Sequence, residues 1–74
     1  MQEKLKEIMS NIFDIPKEKI NDSTSMKSVD KWDSLSHINL ILSIEENFQI
    51  EISEDEMSQM TSYKTIKEIL KRKL

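Results

Sequence analysis

Apolar residues recur along this chain at three- and four-residue intervals, the spacing that puts them on one face of a helix. In the first segment Met1, Leu5, Ile8, Met9 and Ile12 form a narrow stripe between charged positions, which predicts a first helix. A second helix, the most apolar, is expected from Ser34 to about Asn47 or Phe48, within WDSLSHINLILSIEENF. A short third begins at Ser53, where S-E-D-E reads as a capping box closed by Glu56, with Met57 and Met60 facing inward. The fourth starts near Ser62 and carries Tyr63, Ile66, Ile69, Leu70 and Leu74 on one side. Its final turn holds Lys71, Arg72 and Lys73, whose sign complements the negative end of the helix dipole. No alternating strand pattern, internal repeat or low-complexity tract competes. The expected fold is all-α, a small four-helix bundle with a long crossover loop between the first and second helices and a short third helix.

That crossover, Asp14 to Asp33, has little periodicity, and a structureless loop of its length is unusual inside a small domain. Ile15, Ile20, Met26, Val29 and Trp32 punctuate it, so it reads as an ordered segment pinned to the bundle. A turn of helix is expected after Pro16, a residue suited to a first helical position.

The second helix has more apolar surface than one core contact needs. At 100° per residue its large apolar side chains cover roughly 220°, whereas a stripe of about 100° suffices to face a core. Leu40, Ile41, Ile44 and Phe48 form the expected core side. Leu35, Ile38 and Leu42 form a second strip near Glu45 and Glu46 and next to Ser34. An apolar strip edged by carboxylates suits a docking surface, with contact supplying affinity and charge supplying steering. Leu35 and Leu42 are either part of that surface or partly covered by the crossover or third helix; Ile38 is the one of the three most expected to be exposed.

Composition narrows the classes. The 74 residues are expected to form one domain, 1–74, near the lower size limit for folding without staples. There is no cysteine and hence no disulfide framework or thiolate metal site, which fits a reducing compartment. The start MQEKLKEIM lacks the apolar core of a signal peptide, and no stretch approaches a membrane span, so a cytoplasmic location is expected. Having no glycine, one proline and 34% charged residues favours helices joined by polar loops over hairpins. Net charge is only −3 but unevenly placed. Between Lys31 and Lys64 there is no cation, and Asp33, Glu45, Glu46, Glu51, Glu54, Asp55 and Glu56 all fall there. Such an acidic face argues against nucleic acid and for a basic protein partner.

The candidate chemistry lies at Asp33-Ser34-Leu35. Asp33 is a favourable N-cap, so Ser34 would take the first helical position, where unpaired N–H groups and the positive dipole end converge. Such a place suits a phosphate ester. Ser34 and His37 are three apart on one helix and could touch as a catalytic dyad. No residue evidently orients His37, however, and no glycine-bearing elbow or oxyanion loop is present, so His37 reads as a surface or packing residue. The acids of EISEDE lack the spacing and glycine of a calcium loop, and one His without Cys supplies no zinc set, so no metal site is expected. Chemistry at Ser34 must then come from a second protein.

Together these residues resemble an acyl carrier protein over essentially the whole chain. The resemblance rests on the length, the helix order, the long crossover, Asp33-Ser34-Leu35, the Glu45-Glu46-x-Phe48 ending, and Ile52 before a short acidic helix. It implies that Ser34 is esterified by 4′-phosphopantetheine from coenzyme A through a separate phosphopantetheinyl transferase, with Asp33 and Leu35 recognised beside it. It implies that the arm's thiol carries acyl or aminoacyl thioesters between a loading enzyme and downstream synthases or transferases, the protein itself being no enzyme. Ile38, Leu42, Glu45 and Glu46 would meet those partners, and the carrier would be monomeric. Short acyl chains often shelter between the helices of this family, a use for a core containing Met57 and Met60. Three departures point away from bulk fatty-acid synthesis and toward a specialised pathway. Lys31 stands where many members have glycine, Trp32 replaces a small residue, and Ser36 and Asn39 occupy positions often acidic. Trp32 reads either as a loop anchor or as a lid contact for the arm. The reading from another class is an unmodified helical adaptor that uses the acidic face of the second helix alone.

Overall fold

The computed structural model describes residues 1–74 and contains four α-helices: α1 (Gln2–Phe13), α2 (Ser34–Phe48), α3 (Glu54–Gln59) and α4 (Tyr63–Lys73). This is the all-α bundle that the spacing predicts. One core of fourteen buried residues joins Leu5, Met9 and Phe13 of α1 to Leu40, Ile41 and Ile44 of α2 and Ile66, Ile69 and Leu70 of α4. The inward stripe of α1 differs at both ends from its expected membership: Met1 is exposed, Ile12 is only partly buried, and Phe13 is buried. Met1 precedes the first helical residue, so the helical period no longer holds it against the core. Leu74 is exposed for the same reason at the end of α4.

Caps explain where the helices stop. Ser53 accepts from the Glu56 amide while Glu56 accepts from the Ser53 amide, closing the expected box at α3. Ser62 and Thr65 form a second box at α4. Without glycine, the chain leaves α1 through Asp14 and α2 through Gln49, both in the left-handed region at φ 56° and 54°. Met60 is fully buried and Met57 partly so, in line with their inward expectation.

The crossover is ordered by backbone pairing as well as by its apolar anchors. A single antiparallel bridge joins Ser25 to Ser62: the Met26 amide donates to the Thr61 carbonyl and the Tyr63 amide to the Thr24 carbonyl, both at 2.9 Å. Ile20, Thr24 and Trp32 are buried, with Ile15, Met26 and Val29 packed against the core. The expected turn is a 3-10 turn over Lys17–Lys19, and Pro16 stands just before it as its cap. Trp32, left open between anchor and lid, is an anchor: it is 2% exposed and stacks on Phe13 with ring centroids 4.8 Å apart.

Candidate functional site

The start of α2 is built as its residue types dictate. Asp33 is extended, and its carboxylate accepts from the Ser36 amide at 2.8 Å. That amide is the leading cause holding the Asp33 carboxyl below the usual range, so the N-cap stays anionic. Ser34 is the first helical residue and is exposed, as is Leu35. The cap bond goes past Ser34 to Ser36, which leaves the serine hydroxyl facing solvent at the positive end of a fifteen-residue helix.

A nucleophilic dyad is not available there. His37 is 8% exposed, and both ring nitrogens are engaged. The indole N–H of Trp32 donates to Nδ1 at 3.0 Å. An indole nitrogen only donates, so Nδ1 carries no proton, and Nε2–H donates to the Met57 carbonyl at 2.8 Å. His37 is a packing residue that ties the crossover to α3, and it has no lone pair free for Ser34. Sequence reasoning left this pair unconnected. Its only signal was one tryptophan two residues before the serine and one histidine three after it.

The surplus apolar strip is real. Leu35, Ile38 and Leu42 are 70%, 47% and 56% exposed, so neither the crossover nor α3 covers Leu35 or Leu42. Ile38 is exposed, as expected, and is the least exposed of the three because on the helix it lies beside buried Ile41 while the other two lie farther round. The carboxylates differ in kind. Glu46 is exposed, whereas Glu45 is half-buried and accepts from the Ile52 amide at 2.9 Å, bracing the turn into α3. Glu56, inside the acidic run, is held by Lys73 at 2.8 Å and by its cap. No group of three or more His, Cys, Asp or Glu side chains is placed to hold a metal ion.

The arrangement offers an exposed alcohol at a helix N-terminus, flanked by an exposed apolar strip and one free carboxylate. It suits an alcohol that receives a phosphate ester from another protein. Residues 3–72 match the family model described as phosphopantetheine attachment site. Among named relatives, the acyl carrier protein of Buchnera aphidicola subsp. Acyrthosiphon pisum (strain Tuc7) is 38% identical over 75 residues, covering 100% of this chain and 94% of that protein. The acyl carrier protein of the Baizongia pistaciae subspecies is 31% identical, covering 97% of this chain and 92% of its own length. The solution structure of holo acyl carrier protein from Geobacter metallireducens superposes with a TM-score of 0.85 at 29% identity, over 97% of this chain and 83% of that one.

Proposed function

The chain belongs to the phosphopantetheine attachment-site family of acyl carrier proteins, and from that premise we propose that Ser34 is the residue that takes the arm. Members are carriers rather than enzymes and bear 4′-phosphopantetheine covalently on a serine. The observation that carries the assignment is the exposed Ser34 at the first position of α2, immediately after an N-cap that leaves its hydroxyl free. Esterification bonds the Ser34 oxygen to the phosphorus bearing the arm. The pyrophosphate bond of coenzyme A breaks, adenosine bisphosphate leaves, and the hydroxyl proton passes to a base of the transferase. Once attached, the arm supplies a thiol that holds acyl or aminoacyl groups as thioesters. Asp33 and Leu35 border the ester, Asp33 by fixing the helix start and Leu35 by offering an exposed apolar contact.

Residues 1–74 then act as one monomeric carrier domain in the cytoplasm, where coenzyme A provides the arm. No helix is long and apolar enough to cross a membrane. Partners dock on Leu35, Ile38, Leu42 and Glu46, the phosphopantetheinyl transferase first and the loading and downstream enzymes after it. The proposed setting is a specialised pathway. What supports it is a docking helix with no acid at Ser36 or Asn39, and a buried Trp32 before the serine motif.

Mass spectrometry tests the assignment. Incubation with coenzyme A and a broad-specificity transferase should add one arm to the wild-type chain and none to Ser34→Ala. Absence of addition, under conditions that modify a control carrier, overturns it in favour of the adaptor. The thioester found on protein isolated from its native cell tests the pathway; the straight saturated chains of bulk fatty-acid synthesis would overturn the specialised reading.

A further inference from the structure

Three ties hold the segment around Ser34, and they are unequal. Asp33 contributes its carboxylate bond to the Ser36 amide and its carbonyl bond from the His37 amide, at 2.8 Å each; Asp33 is exposed, so water competes with the carboxylate bond. The third tie is buried. Trp32 and His37 flank Asp33-Ser34, and their side chains meet across the helix start at 3.0 Å. Trp32 is stacked on Phe13 of α1, while the far nitrogen of His37 donates to the Met57 carbonyl of α3 at 2.8 Å. The tip of α2 is thereby braced from both sides. None of the six residues of α3 is fully buried, so the bond to the Met57 carbonyl adds to the few contacts that hold it.

We propose that Trp32, His37 and the Met57 carbonyl form a clamp that sets the position of the Ser34 hydroxyl, with His37 as a positioning residue for attachment of the arm. The proposal rests on Ser34 being the attachment point. His37 acts through the backbone: its nitrogens are committed to Trp32 and Met57, so it neither removes the serine proton nor touches the incoming phosphate. Placement matters because a small misplacement of a reacting atom lowers turnover far more than it lowers affinity. The side chains of Leu35, Ile38 and Leu42 are exposed and take no part in the clamp, so they stay open to a partner when it opens, even as the backbone at Ser34 and Leu35 moves.

The test compares His37→Gln with His37→Leu. A glutamine amide accepts from the indole through its oxygen and donates to the Met57 carbonyl through its nitrogen; leucine fills the volume and does neither. With purified transferase and coenzyme A, His37→Leu should lower kcat about tenfold with KM for the carrier within about twofold, and His37→Gln should recover most of the loss. The single Trp32 indole N–H gives one proton NMR signal. In His37→Leu it should move upfield and exchange faster, with the Ser34 and Leu35 amides shifting alongside it; in His37→Gln all three should stay near their wild-type positions. An equal loss in both variants, or a folded His37→Leu with wild-type kcat, overturns the clamp. The amide signals need no transferase. A wild-type chain that takes no arm therefore overturns the Ser34 assignment, while Ser34 and Leu35 amides unmoved in His37→Leu overturn the clamp.

Discussion

At the scale of single residues, Tyr63 and Glu45 show how burial alters what a side chain does. Tyr63 is 2% exposed and its hydroxyl has no hydrogen-bond partner. Burial, the leading cause, raises its pKa, so the group remains a phenol that has given up water for nothing. The ring is useful, since the Lys67 ammonium lies 4.7 Å from its centroid. Tyr63→Phe keeps that contact and removes the orphan. It should raise stability by about 1 kcal/mol, a gain of about 4–8 °C in Tm for a domain this size, read by thermal denaturation. Glu45 and Glu46 look equivalent in the sequence, yet Glu46 is exposed while Glu45 is half-buried and accepts from the Ile52 amide. Glu46→Lys should slow arm attachment, more at low salt than at high, without changing Tm. Glu45→Lys should lower Tm as well, since it removes the acceptor for the Ile52 amide, and Glu45→Gln should restore Tm but not the charge. Stopped-flow kinetics and melting curves of the three variants separate the roles. The start of α2 was legible because Asp33-Ser34 is local chemistry, a cap followed by a first turn. The Trp32–His37 bond was not, because it joins a loop side chain to a helix side chain across a junction whose shape no local preference dictates.

The elements themselves were legible where a single period ran unbroken. The second helix needed only its apolar spacing and its cap, and its observed span, Ser34–Phe48, follows both. The crossover was not legible in detail, because part of its order comes from two backbone hydrogen bonds to Thr61 and Tyr63, some thirty-five or more residues farther along the chain. The helix ends were only half legible, since chains usually leave a helix through glycine and this one has none. Gln49 closes α2 with φ 54°, a conformation that costs a residue with a Cβ about 1–2 kcal/mol. Gln49→Gly relieves that strain while giving the unfolded chain more freedom, so the net gain should be smaller, about 0.5–1 kcal/mol. Urea denaturation should register it as a higher midpoint with an unchanged slope. A lower midpoint would mean that the Gln49 side chain itself supports the turn.

For the whole molecule, the uneven charge becomes a set of ties between distant parts of the chain. Lys67 of α4 reaches Asp22 of the crossover at 2.7 Å, and Lys73 reaches Glu56 of α3 at 2.8 Å. The hydrogen bond from Lys67 is the main cause lowering the Asp22 pKa, that from Lys73 does the same for Glu56, and the Ser36 amide lowers that of Asp33. A carboxyl whose folded-state pKa is depressed binds fewer protons folded than unfolded in acid, so its contribution is whole above the unfolded value and fades as pH falls through the folded one. With ordinary carboxyls near 4, these ties should be intact above about pH 5 and be lost below it. Lys67 runs the other way: its partner Asp22, the leading cause, raises its pKa. Its contribution is complete below about pH 10 and is lost as pH rises through the folded value. The contribution of these ties to Tm should therefore be level from about pH 5 to 9 and fall on both sides. Asp22→Asn should lower the plateau and flatten both flanks, because one substitution removes the acid-sensitive partner and the cause of the raised lysine. If Asp22→Asn left the plateau where it was and both flanks as steep, the pair would be a surface coincidence, and the crossover would be held by Ile20, Trp32 and the two backbone bonds without help from charge.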